Sequence, residues 1–138
     1  MSEWLTIALL LAAFGQACIA VINLALVPLM GWKADVQRMP LLVREVFHVH
    51  AWFITITLLI FATLTCRFVH EMAAGAAPVY RWLAGGIGGF WAIRTVLQVA
   101  YYSSSHWRGI PSRTVAHVVL LIVYGGFAAV YLAAVFRP

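Results

Sequence analysis

The sequence predicts an all-α fold, four transmembrane helices in an up-down-up-down bundle, and three observations carry that prediction. Of 138 residues, 64% are hydrophobic and only 9% are charged, whereas soluble domains lie near half apolar and a quarter charged. The mean hydropathy is +0.96. Four apolar stretches each come near the ~20 residues that a ~30 Å hydrocarbon core requires: Leu5 to Leu29, Pro40 to Arg67, Trp82 to Ser104, and Pro111 to Phe136. Little chain is left between them, so residues 1–138 read as one integral membrane domain with short loops.

The first stretch has Glu3 as its only preceding charge. A cleaved signal peptide wants a positive leading region and a shorter apolar run, so the stretch reads as a retained helix. Gly15-Gln16-Ala17-Cys18 is likewise a poor lipoprotein cleavage site, because Gln fits badly there. The second stretch opens after Pro40 and carries "REVFHVHAW" over residues 44–52, four titratable groups close to lipid. Pro40, Pro78 and Pro111 sit at or just before helical starts, where a missing N–H costs nothing. Gly31, Gly75 and Gly109 fall in the connections, where helices must stop. Cys18 and Cys66 belong to different helices, which offers neither a disulfide framework nor a CxxC site; they read as packing residues.

Connections 1–2 and 3–4 carry Lys33, Arg38, Arg44, Arg108 and Arg113, against Arg67, Arg81 and Arg137 at the other face. The positive-inside rule then places the first face in the cytoplasm, as in a bacterial inner-membrane protein. Without Arg44 and Arg113, which double as site candidates, the two faces balance. The net charge of +5 suits anionic headgroups, and no soluble surface exists to hold nucleic acid.

Laid side by side, the helices share a polar layer near the first face. Asn23, His50, Arg94 with Gln98, and His117 each fall six to ten residues from a helix end, roughly 9 to 15 Å deep at ~1.5 Å per residue. Arg94, Gln98 and Tyr101 follow i, i+4, i+7, and Arg113, His117, Tyr124 and Tyr131 are four, seven and seven apart, one face in each case. Gln16 with Asn23, and His50 with Thr57, give the other two helices a stripe. Unpaired polar groups are costly in hydrocarbon, so the stripes should point inward and the leucines, valines and phenylalanines toward lipid.

Several of these features have a plainer reading. Asn, Gln, Thr and Tyr in such helices often serve only as interhelical hydrogen bonds; a buried Arg and His pair asks for more. His48 points about 200° from His50. Glu45-x-x-His48 has the spacing of half a di-iron site, but Glu3, Asp35 and Glu71 cannot supply the other half. His70 and His106 read as solvated groups at helix ends. "GGIGG" at 85–89 lacks the setting of a phosphate loop. Gly85 with Gly89, and Gly125 with Ala129, are small-xxx-small pairs suited to close packing, a membrane partner or a second copy. Tyr80, Trp82, Tyr101, Tyr102 and Trp107 read as interfacial aromatics.

Two imidazoles on different helices under Arg44, Arg108 and Arg113 suit a b-type haem, with His50 and His117 as axial ligands and Tyr101 near the propionates. The same layer without a metal suits the head of a quinone, a lipid or another anionic amphiphile. The expected cofactor-binding set is therefore His50, His117, Arg94, Gln98, Tyr101, Asn23, Arg113 and Arg44. A third reading is a non-catalytic subunit of a larger membrane complex, its polar layer purely structural. Transport would require oligomerisation, since four helices contain no inverted repeat.

The segments "VFHVHAWFI", "FWAIRTVLQVAYYSSSHWRG" and "TVAHVVLLIVYGGFAAVY" resemble a group of small bacterial four-helix membrane proteins over about the last two thirds of the chain. The resemblance implies that His50, Arg94, Gln98, Tyr101 or Tyr102, Trp107, Gly109 and His117 are the positions of interest; it implies no activity.

Overall fold

The computed structural model describes residues 3–102 and 109–137, and among them the fold is all-helical. The elements are α1 (Glu3–Leu29), α2 (Lys33–Arg38), α3 (Leu41–Ala74), α4 (Pro78–Ala100) and α5 (Pro111–Val135). Four of these, α1, α3, α4 and α5, are long and apolar enough to cross a membrane. The chain is an integral membrane protein by that criterion. Its exposed surface is dominated by large apolar side chains such as Leu11, Phe14, Val21, Phe53, Ile93 and Ile122, as lipid contact demands.

The connections follow from local chemistry. Gly31 adopts φ +70°, and its N–H bonds to the Pro28 carbonyl while that of Trp32 bonds to Val27. The end of α3 repeats the pattern: Gly75 has φ +59°, with Gly75 N–H to Met72 and Ala76 N–H to Glu71. Both are Schellman closures, in which a left-handed glycine lets two orphan carbonyls of the last turn be satisfied. Pro78 and Pro111 open α4 and α5 at the first helical position, where proline's fixed φ is preset for a helix. α2 is a six-residue helix between Trp32 and Met39, too short for hydrophobic periodicity to reveal.

α3 outruns its expected end. Its 34 residues would measure about 51 Å at ~1.5 Å each, well beyond a ~30 Å hydrocarbon core. The helix is interrupted at Phe68, whose φ of −118° and ψ of 22° are not helical. The apolar run does finish at Arg67; six further helical residues follow the break. α4, in turn, starts at Pro78 rather than Trp82 and ends at Ala100, and the expected terminus at Ser104 lies outside the described residues.

The residues fall into two compact units, Met1–Leu9 with Phe68–Pro138, and Leu10–Arg67. In the first, α4 and α5 pack closely. A Cβ on Gly88 would lie 3.1 Å from Tyr131 Cβ and 3.3 Å from Leu132, so glycine sets the separation of the two backbones there. Ile87, Trp91, Tyr131 and Met72 are almost wholly enclosed. The described C-terminal residue Arg137 donates a guanidinium hydrogen bond to the Ala73 carbonyl, which satisfies an end-of-helix acceptor of α3. In the second unit the enclosed face of α3 runs through Thr55, Leu58, Ala62 and Thr65, at spacings of three and four, and α1 contributes Ala12, Ala13, Gln16 and Ala20.

Small residues play parts that differ from the simplest pattern reading. Gly85 faces Val135 and Gly125 faces Thr95 at ordinary contact distances, while Gly89 has open space where a side chain would go. Cys18 and Cys66 are both exposed and unbridged rather than packed inside.

Candidate functional site

In the first unit, the last turns of α4 and the stretch of α5 from its second turn to its middle bring together Arg94, Gln98, His117 and Tyr124. Arg94 and Gln98 lie four apart, hence on one face of α4. Gln98 is 5% exposed, and its Nε2 lies 3.0 Å from His117 Nδ1. Its Oε1 is buried with no hydrogen-bond partner, although buried carbonyl oxygens are nearly always paired. The guanidinium carbon of Arg94 sits 4.8 Å from the centre of the Tyr124 ring and 5.8 Å from that of Tyr102.

Beneath this polar group is an aromatic floor. Tyr124 stacks on Trp91 at 5.2 Å and 29°, and Phe127 meets Trp91 edge-on at 4.9 Å. The rings hold Tyr124 flat under the cation, so the guanidinium meets electron-rich faces. No carboxylate among the described residues pairs with Arg94. Since α4 ends at Ala100, Arg94 lies six residues from that end, about 9 Å at 1.5 Å per residue. That is shallower than a helix running to Ser104 would place it, and within reach of the headgroup level for an arginine that extends outward.

The other expected site residues are placed as follows. Tyr101 is 82% exposed and meets Tyr102 edge-on; Tyr102 is the ring beside Arg94. Arg113 is exposed, and Arg44 is half-buried. Asn23 belongs to the second unit, where its Nδ2 donates to the Ala51 carbonyl at 2.8 Å and to Thr55 Oγ1 at 3.0 Å. The Thr55 hydroxyl stands 2.9 Å from the Ala51 carbonyl and 3.3 Å from that of Ala20. Those bonds tie α1 to α3. His50 is exposed, also in the second unit, with Nδ1 3.1 Å from the Val46 carbonyl. A carbonyl can only accept, so Nδ1 is the donor in this contact and Nε2 is the ring nitrogen it leaves for another partner. His48 is held to Arg44 O in the same way at 2.9 Å. Trp107 and Arg108, expected at the rim, and His106 lie outside the described residues.

Two polar residues not singled out from the sequence now matter, Thr55 and Thr65, and Tyr102, read there as an interfacial aromatic and as an alternative to Tyr101, is the ring beside Arg94. Thr55 and Thr65 mark the enclosed face of α3 with Ala51, Leu58 and Ala62, a small-residue face legible from spacing. Tyr102 follows the end of α4, so helical periodicity could not choose it over Tyr101. The concave surface lined by Gly75, Pro78, Arg81 and Trp82 lies at the other end of α4 from Arg94. Among the described residues no cluster of three or more His, Cys, Asp or Glu stands ready for a metal ion. Compared with known protein families, curated proteins and solved structures, the chain matches none.

Proposed function

We propose that this membrane protein binds the polar head of a redox-active, quinone-like amphiphile at Arg94, Gln98, His117 and Tyr124, with the apolar tail among the helices. The observation that carries this reading is Arg94 held between two phenol rings with no carboxylate partner among the described residues. A cation–π contact contributes about 0.5–2 kcal/mol, and the ring faces of Tyr124 and Tyr102 offer the guanidinium no charged oxygen. A carbonyl, phosphate or carboxylate oxygen entering from the headgroup side would suit it as a charge-assisted acceptor. Beside it, Gln98 adds a buried amide oxygen without a partner. Charge, amide, imidazole and aromatic floor together match a head that is flat and oxygen-bearing.

Calorimetric titration of the detergent-purified protein with a short-chain benzoquinone tests the reading. Saturable binding weakened at least about tenfold, or ~1.4 kcal/mol, by Arg94→Ala supports it; equal binding by both proteins rejects it.

A b-type haem is the second reading, favoured by His50. Its Nδ1–H is fixed on the Val46 carbonyl, and such a bond orients the ring and leaves Nε2 to ligate, as in metal-binding histidines. A Soret band in the purified protein that is lost in His50→Ala would establish it. A preparation colourless after haem supplementation would remove it.

A further inference from the structure

The turn from α3 to α4 bounds an open recess of about 410 Å³, lined by Gly75, Ala76, Ala77, Pro78, Arg81 and Trp82, all within the first unit. Sites that hold small ligands run to about 300–1,000 Å³. The 23 residues of α4 measure about 35 Å at ~1.5 Å each, a little more than the ~30 Å of hydrocarbon. Its first turn, and the recess with it, therefore stands at the level of lipid headgroups.

Arg81 is the one charged residue of the lining. Its guanidinium lies over the turn, with Nε and Nη2 3.3 Å from where a Cβ on Gly75 would stand. The carbonyls around it already have donors. Those of Glu71, Met72 and Ala77 accept from the N–H groups of Ala76, Gly75 and Tyr80, and that of Ala73 accepts from Arg137. Arg81 itself makes no hydrogen bond or ion pair among the described residues, although a guanidinium has five N–H donors in a fork that fits two oxygens of one anion. Acids are scarce, four against nine Lys and Arg in the whole chain. At the N-cap of α4 stands Ala77, without a side-chain cap bond, which leaves the positive end of the helix to an outside anion. Trp82 and Val79, 81% and 63% exposed, flank the recess, and an indole at this level suits the boundary between headgroup and acyl chain.

We propose that the α3–α4 turn is a binding site for an anionic phospholipid, separate from the site at Arg94. Arg81 donates to the phosphate oxygens, the N-terminus of α4 adds its partial charge, and Trp82 and Val79 meet the glycerol and the upper acyl chain. The lining contains no carboxylate to receive the ammonium of a zwitterionic head, so the lipid favoured is one with net negative charge. The exposed apolar flank makes the occupant a lipid and not a free ion.

Native mass spectrometry of the full-length protein, released from an uncharged detergent, tests this with phosphatidylglycerol and phosphatidylcholine of the same acyl chains. Wild type should hold one phosphatidylglycerol at least about tenfold more tightly than phosphatidylcholine. Arg81→Gln should weaken that lipid by at least about tenfold. Ala76→Phe keeps the charge and fills the recess, and it should weaken the lipid to a similar degree. Both positions are exposed, and unchanged circular dichroism in the two variants separates lost binding from lost folding. Arg38→Gln, which removes one exposed charge from α2, should stay within about threefold of wild type. Equal retention by wild type and Arg81→Gln overturns the proposal, as does an equal loss in Arg38→Gln, which would mean attraction by net charge alone. Displacement of the lipid by excess inorganic phosphate overturns it in favour of a soluble anion. Loss in Arg94→Ala with none in Arg81→Gln overturns it by moving the lipid to the opposite end of α4.

Discussion

Arg94 carries its charge against the faces of Tyr124 and Tyr102, and the planarity of guanidinium makes that arrangement possible. A lysine would place a compact, strongly hydrated ammonium where a flat group now lies along a ring. Arg94→Lys should therefore lose most of the affinity for an oxygen-bearing head, about tenfold or more, while near-ultraviolet circular dichroism of the Trp91–Tyr124 stack stays as in wild type. Affinity equal to wild type would show that charge alone is what position 94 contributes. Asn23 is a contrasting residue: both of its donor contacts are made within the protein, to Ala51 and Thr55. Asn23→Ala should lower the unfolding free energy in mixed detergent by about 0.6–1.7 kcal/mol, the range of interhelical hydrogen bonds in membrane proteins, and should leave ligand affinity alone. A fall in affinity with no fall in stability would move Asn23 into the binding site.

At the scale of elements, Gly88 governs how closely α4 and α5 approach. The atoms a new methyl would meet are the Cβ of Tyr131, anchored to backbone, and the Leu132 side chain. Gly88→Ala should cost about 1–3 kcal/mol as overpacking, read as a lower melting temperature in detergent; Gly89→Ala, with open space at that position, serves as the comparison and should be near neutral. Gly75→Ala should cost about 1 kcal/mol from its left-handed backbone, with the neighbouring Arg81 side chain able to move aside. These elements also show where the sequence was readable. Long apolar runs and their flanking Pro and Gly located four helices, because lipid admits few other structures. The short α2 and the break at Phe68 left no mark, since neither changes hydrophobic period or introduces Pro or Gly. Within the site, Arg94, Gln98 and His117 were legible as a face shared by i, i+4 and by depth. Tyr101 was extrapolated beyond the end of α4, and it is Tyr102 that meets the guanidinium. Thr57 was chosen by counting from His50, whereas the enclosed face of α3 passes through Thr55; the anchor itself is exposed.

For the molecule as a whole, a membrane crossing by α3 implies that the residues before it and those after it, Ala34 and Ala76 among them, meet water on opposite sides. Single cysteines introduced at Ala34 and Ala76 in a cysteine-free background should label from opposite sides of sealed vesicles with an impermeant maleimide. Labelling of both from one side would remove one of the crossings. The two natural thiols extend this into a measure of depth. Both face outward, yet Cys18 lies midway along α1 while Cys66 directly precedes Arg67, at the limit of the uncharged run 46–66 of α3. Alkylation proceeds through the thiolate, a species that needs water. In intact bilayers Cys66 should therefore be modified by iodoacetamide and Cys18 spared, with denaturing detergent abolishing the difference. The chain thus holds, in two atoms of sulfur, an internal gauge of where hydrocarbon gives way to water.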